Sequence, residues 1–210
     1  MADTRRALVE AATEAFAEHG VFTASLVEVT RRAGQRNRGA VHYHFGSRES
    51  LLAAVLEQHA PFLARREGEL LALARATPDT ELGPVLEAIV RPAVELAETG
   101  TSGRCYLVIV GELVEEYDRL HPDVAEALRH TGGYDVYALL EQRLPDLDDA
   151  LRAERLALIT GFILRSVADR ARQGTSPGRA QLPTERFVRN LVAMATGMAT
   201  APAVGGESAG

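Results

Sequence analysis

The 210-residue sequence contains no lysine, and all 23 of its basic residues are arginine. It has one cysteine, Cys105, which excludes a disulfide within the chain and argues against a cysteine-ligated zinc site. Cys105 falls in the apolar run CYLVIVGELV, where a small buried hydrophobe is the expected role. No stretch reaches about eighteen uninterrupted apolar residues, so no membrane span is expected. The amino-terminal segment MADTRRALVEAATEAF carries acids from Asp3 onward and lacks the apolar centre of a secretory leader. Together these absences predict a cytoplasmic protein. Strand-like alternation and internal repeats are also missing. The hydrophobic fraction of 46% is ample for a core, and with helical periodicity almost everywhere the expected fold class is all-α.

Another absence is local. From Arg31 to Arg48 the chain carries five arginines and no acidic residue, although its formal net charge is −6. Residues 1–59 balance seven arginines against seven acids, so the remainder supplies the whole −6. A basic segment on an acidic body is the electrostatic footprint of a nucleic-acid reader with a separate second domain. Charge runs of this length also occur as solvated faces, so the pattern needs a structural context.

That context comes from helix signals. Leu8, Val9, Ala12, Ala15 and Phe16 share one face of a first helix over about 4–18, which Gly20 terminates. Ser25 followed by Glu28 forms a capping box for a short second helix ending at Gly34. The residues QRN form a turn, a third helix runs over about 37–44, and Ser47 caps a fourth. Two short helices around a glycine-containing turn, behind a longer supporting helix, make a helix-turn-helix. Leu26, Val29, Ala33, Val41 and Phe45 should pack on Phe16 and hold the third helix clear of the body. The other face would then present Arg36, Asn37, Arg38, His42 and Tyr43. Further helices follow: one or two broken at Pro61, a central apolar helix over RCYLVIVGELVEEY, two short ones separated by TGG, and two long ones at the end. The tail APAVGGESAG reads as disordered. The expected domains are 1–47, a three-helix DNA-binding unit; 48–200, a second helical unit; and 201–210, the tail.

The segments RRALVEAATEAFAEHG, SLVEVTRRAG and GAVHYHFGSRESLL resemble, in order and spacing, the amino-terminal domain of the tetracycline-repressor (TetR) family of bacterial transcriptional regulators. The ending YHF-G-S-R-E-x-L-L is the most specific part. The match covers roughly 50 to 55 residues at the amino-terminal end; beyond them the resemblance is architectural. Two departures stand out. Four residues, QRNR, separate Gly34 from Gly39 where three are usual, and His42 stands where a tyrosine is usual, with Tyr43 beside it. The resemblance implies a regulator, most simply a repressor, that binds double-stranded DNA as a homodimer and is released by a small molecule bound in its second domain. No cofactor, metal or membrane partner is implied.

Within this reading, the third helix enters the major groove with its first residues foremost. Arg38 and Arg36 suit guanine edges; Asn37 either caps the helix or reads adenine. Gly39 and Ala40 allow close approach, and Ala40 is also placed to touch a thymine methyl. His42 and Tyr43 suit phosphate or sugar, whereas His44 is expected to pack beneath the helix. Arg48 and Ser25, at helix starts, suit phosphates. A single helix reads few base pairs, so a two-fold dimer on a palindromic operator is expected. Leu156, Ile159, Ile163 and Val167 form one stripe and Phe187, Leu191, Met194 and Met198 another; such stripes serve either core or interface, and the resemblance implies interface. Tyr106, Glu112, Tyr117, Tyr134, Tyr137, Phe162 and Arg165 place polar groups among apolar neighbours, as a ligand pocket does and as a core with satisfied tyrosines also does.

Two other readings compete with this one. An enzyme would need a nucleophile elbow, a phosphate loop or a metal signature, and none is present. The acids and histidine of GELVEEYDRLH are close enough to suggest a metal site, but a second Glu-x-x-His set is missing and a solvated helix end is the simpler reading. A helical small-molecule-binding protein without operator specificity is the remaining alternative.

Overall fold

The computed structural model describes residues 2–116, 119–173 and 181–203, and all its regular structure there is helical. In the amino-terminal group, α1 (Ala2–His19) buries Leu8, Val9, Ala12, Ala15 and Phe16. Helix α2 (Leu26–Arg32) is capped by Ser25, whose side chain accepts the Glu28 N–H at 3.4 Å. The other half of the expected capping box does not form, because the Glu28 carboxylate turns to Arg31 and Arg32. Gly34, at φ +69°, supplies the left-handed residue that ends this turn of the chain.

Helix α3 (Ala40–Phe45) begins three residues later than the spacing predicts. The Asn37 side-chain oxygen accepts the Gly39 N–H at 2.9 Å, and the Asn37 carbonyl accepts the Ala40 N–H at 3.0 Å. This Asx turn keeps residues 37–39 out of the helix. The longer QRNR connection is thus absorbed in the turn. Val29, Val41 and Phe16 are buried together, with Leu26, Ala33 and Phe45 packed around them, so the apolar wedge forms as the sequence suggests. Helix α4 (Arg48–Glu57) is capped by Ser47, which accepts the Ser50 N–H at 3.1 Å.

The chain breaks before α5 (Ala60–Arg75), where Pro61 occupies the first turn, a position whose N–H would have no intrahelical acceptor in any case. Then come α6 (Gly83–Glu98), α7 (Thr101–Glu115), α8 (Pro122–Arg129), α9 (Gly133–Arg143), α10 (Asp149–Gln173) and α11 (Thr184–Thr200). Helix α7 is the axis of the larger unit. It buries Tyr106, Leu107, Ile109, Val110 and Leu113 and packs against α1, α6 and α10. Gly111 makes the last of these contacts possible, since a Cβ there would lie 2.6 Å from Ala168 Cβ. Two buried arginines tie helix ends together. Arg143 donates to the carbonyls of Ala74, Thr77 and Glu81, and Arg155 donates to those of Ala199 and Ala201 beyond α11.

Among the described residues, no helix is long and apolar enough to cross a membrane. Cys105 is half-buried, and burial pushes its thiol up from the ordinary range, as suits an unreactive packing residue. The tail expected over 201–210 falls mostly on residues 204–210, which lie outside the described residues.

Candidate nucleic-acid interface and ligand cavity

The α2–α3 region presents an exposed polar surface on an apolar base. Arg36, Asn37, Arg38 and Gly39 are exposed in the turn, and His42 and Tyr43 are exposed on α3. Tyr43 is 74% exposed. Its ring meets His44 edge-on at 5.0 Å, and His44 is half-buried, as expected of a packing residue. His42 Nδ1 lies 2.7 Å from the Gly46 carbonyl, which leaves Nε2 toward solvent. Asn37 acts as the turn-capping residue already described. Ser25 is exposed but engaged as the α2 cap.

Three sequence expectations change here. Arg38 joins Arg36 in the turn before α3 and does not lie on the helix. Ala40 is only 5% exposed and faces inward with Val41, so it is not placed to meet a thymine methyl. Arg48 donates to the carbonyls of Val21 at 2.9 Å and Ala24 at 2.7 Å, with its guanidinium 5.8 Å from the Phe16 ring centroid. It staples α4 to the α1–α2 loop and does not await a phosphate.

The basic run is also less open than its sequence. Arg31 and Arg32 bind Glu28, and Arg32 reaches Glu18 at 2.7 Å across to α1. Hydrogen bonds from Arg31 and Arg32 hold the Glu28 carboxyl down at about 2. Among the described residues, no hydrogen bond or ion pair engages Arg36 or Arg38, which leaves these two to face an outside partner.

A cavity of about 820 Å³ opens in the larger unit between α5, α6, α7, α9 and α10. Its walls are mostly apolar, from residues such as Leu63, Ile89, Leu107, Val110 and Leu164. Of the expected ligand residues, Tyr106, Tyr134 and Tyr137 line it. Tyr106 is buried and meets His59 edge-on at 5.3 Å. Burial pushes the Tyr137 phenol up to about 12, a rise that the neighbouring Thr160 side chain moderates, and no group meets hydrogen-bond geometry with its hydroxyl. Tyr117 lies outside the described residues.

Three other expectations do not hold. Glu112 points away from the cavity; both its oxygens accept the Val21 N–H, at 3.0 and 3.1 Å. Phe162 and Arg165 sit on α10 away from the lining, with Arg165 exposed beside Asp169. The periodicity of one helix shows that a polar residue stands among apolar ones, but not which neighbouring helix it faces.

Sequence reasoning missed Glu67. It is 8% exposed, lines the cavity from α5, and has one carboxyl oxygen without a hydrogen-bond partner. Burial alone pushes its carboxyl up to about 8. In sequence it reads as one more acid in the polar segment RREGEL. The available signal was its place on the stripe Ala60, Leu63, Glu67, Leu71, Ala74, otherwise apolar and buried in the fold.

The interface stripes also need correction. Ile159, Ile163, Val167 and Leu191 are buried within the protomer and keep almost no surface for a partner. Leu156, Phe187 and Met198 are half-buried against the same core, and Met194 alone of the eight is exposed, at 50%. The outer face of α10 carries the exposed Leu158 beside the half-buried Gly161, and that of α11 carries the exposed Ala193, Met194 and Gly197.

The amino-terminal helices, α4 included, meet α7 and the α8–α9 segment at defined contacts. Glu112 of α7 holds the loop after α1. The Ser50 hydroxyl of α4 donates to Asp123 at the start of α8 at 3.4 Å, and His130 after α8 lies 2.5 Å from Glu57. The same α8–α9 segment gives Leu128, Thr131 and Gly133 to the cavity wall.

Comparison with known proteins accords with this arrangement. Residues 8–55 match the family described as "Bacterial regulatory proteins, tetR family", and residues 87–198 match "Tetracyclin repressor-like, C-terminal domain". The HTH-type transcriptional regulator SrpR of Pseudomonas putida is 26% identical over 178 residues, covering 81% of this chain and 78% of that protein. The fold is that of AibR, solved with isovaleryl coenzyme A and operator DNA (17% identity, TM-score 0.59, 91% of this chain and 97% of that one). It is also that of the ketosteroid regulator KstR2 of Mycobacterium tuberculosis (20% identity, TM-score 0.57, 94% and 95%).

Proposed function

The chain belongs to the TetR family of bacterial transcriptional regulators, and on that premise we propose that it is a homodimeric repressor released from a palindromic operator by a small molecule in its cavity. The observation that carries this reading is the surface from Arg36 to Tyr43. Its polar side chains stand clear of the protein on a base of buried apolar residues and, for Arg36 and Arg38, without internal partners. Tyr43 and His42 suit the sugar–phosphate backbone, while Arg36 and Arg38 reach from the turn toward guanine edges.

A dimer supplies the second reading head. The open stripes of α10 and α11 suit helix-on-helix packing: Leu158 and Met194 are exposed, and nothing lies within 4 Å of a Cβ built on Gly161 or Gly197. Two protomers joined there would have to place their α3 helices about one turn of DNA, roughly 34 Å, apart. Ligand in the cavity bears on the α8–α9 segment, whose contacts with α4 hold the DNA-binding unit, and so favours a dimer with a different spacing. AibR, solved with a ligand and operator DNA, supports a chain of this fold holding both.

Selection of bound sequences from a random duplex pool, at near-physiological salt, tests the reading. The expected result is one palindrome with half-sites one helical turn apart. Recovery of no enriched sequence would overturn it and favour a binding protein without operator specificity.

A further inference from the structure

We propose that the cavity takes a protonated amine carried on an apolar body, with Glu67 as its counter-ion and the Tyr137 oxygen as a second acceptor. The inference rests on the reading of this cavity as the regulatory site and names the class of molecule that fills it.

The argument begins with what the cavity contains. Glu67 is more than nine-tenths buried, and its Oε2 has no partner. The Tyr137 hydroxyl in the same cavity has none within hydrogen-bond geometry either, since the Thr160 hydroxyl beside it donates to the Leu156 carbonyl at 2.7 Å. The groups facing Glu67 are accounted for helix by helix among the described lining residues. Helix α6 gives Ile89 and Ala93; α7 gives Tyr106, Leu107, Val110 and Val114; α10 gives Ala157, Thr160 and Leu164. From α9 come Tyr134 and Tyr137, and the turn before it closes over the carboxyl, a Cβ on Gly133 lying 3.5 Å from Oε2. No cation comes from any of these helices. The lining's other charged groups are Glu116 and Arg119, which pair with each other at 3.4 Å, and Arg119 is 84% exposed.

A carboxyl kept under cover without a cation costs stability, and such groups mark functional sites. An apolar molecule with no polar group leaves that cost in place. A carboxylate or phosphate would add a like charge. An ammonium group supplies N–H donors to both unpartnered oxygens, and tyrosine ring faces attract a cation in a dry site. The volume of about 820 Å³ suits a drug-sized molecule. Burial favours the neutral carboxyl, so amine binding draws a proton off Glu67 and releases it to solvent.

The test uses the full chain and three probes sharing one apolar body: naphthylbutylamine, naphthylbutanol and naphthylbutyrate, followed by naphthalene fluorescence. The amine is expected to bind about tenfold or more tighter than the alcohol, and the acid weakest. Glu67→Gln, nearly isosteric, should abolish the amine's advantage while leaving the alcohol's affinity unchanged. Tyr137→Phe should weaken the amine by a smaller factor. Amine affinity should rise with pH up to about 8, by close to tenfold per pH unit well below it, whereas the alcohol's should not. If the alcohol or acid binds as tightly as the amine, the cavity remains a ligand site and the amine assignment is overturned. An amine preference that survives Glu67→Gln overturns it equally. If no probe binds although operator binding is intact, the cavity reading falls and this inference falls with it.

Discussion

Arg48 and Arg38 look alike in sequence and differ in what surrounds them. Arg48 is held by two loop carbonyls and lies near the Phe16 ring, so Arg48→Ala should lower stability by about 1–3 kcal/mol in urea unfolding and leave the salt dependence of operator binding unchanged. Arg38→Ala should do the reverse: stability within about 0.5 kcal/mol of the parent, with a loss of about 1–3 kcal/mol confined to one base position per half-site. Uniform loss across sequences would assign Arg38 to phosphate. Glu67 gives a prediction in pH. In the unfolded chain it ionises near 4.5, and in the folded protein burial keeps it protonated up to about 8. Ionisation therefore favours the unfolded chain increasingly between those values, and the ligand-free protein loses stability across that window. Glu67→Gln removes this loss. Its advantage in thermal unfolding should be absent near pH 4, reach on the order of 1–3 kcal/mol at about pH 7, and level off above about 8. At this scale the sequence exposed the polar surface of α3 through residue type. It did not reveal that Glu18 reaches over from α1 to Arg32, because an ion pair across helices leaves no mark in local spacing, whereas Glu28 meets Arg31 and Arg32 at the i,i+3 and i,i+4 spacing of a single helix.

Among the helices, the boundaries set by punctuation are the ones that were readable. Ser25, Ser47, Gly20 and Gly34 each stand where the backbone changes direction. The start of α3 was not readable, since Asn37 forms an Asx turn in a segment whose composition also suits a helix. Equally hidden were the faces of α7. Glu112 and Tyr106 lie on one helix, yet Glu112 holds the Val21 N–H and Tyr106 lines the cavity. Their separation makes α7 a candidate lever between the sites, one that spatial intermediacy suggests and only a coupling measurement can establish. Glu112→Ala should leave probe binding in the cavity unchanged and shrink the ligand's effect on operator affinity at least about threefold, read by titrating operator with and without saturating probe. An unaltered effect would place the coupling wholly in the α4–α8 contacts.

For the whole molecule, the resemblance confined to the amino-terminal end extended correctly to a second helical unit, but it could not assign faces to α10 and α11. Apolar periodicity marks the stripe that is buried, and in this protomer that stripe forms the core. The surface left for a partner is less hydrophobic and rich in small residues, a weaker pattern. Leu158→Glu combined with Met194→Glu should therefore produce a monomer by sedimentation, with cavity binding retained and operator affinity reduced by more than about tenfold through loss of the second reading head. A dimer that persists would relocate the interface. The central claim, that cavity and reading surface belong to one equilibrium, is tested most directly by reciprocal affinities. Operator affinity is measured with and without naphthylbutylamine, and naphthylbutylamine affinity with and without operator. The account predicts that each weakens the other by the same factor. Equal affinity of the amine for the free and the DNA-bound protein, with both partners bound, would contradict it.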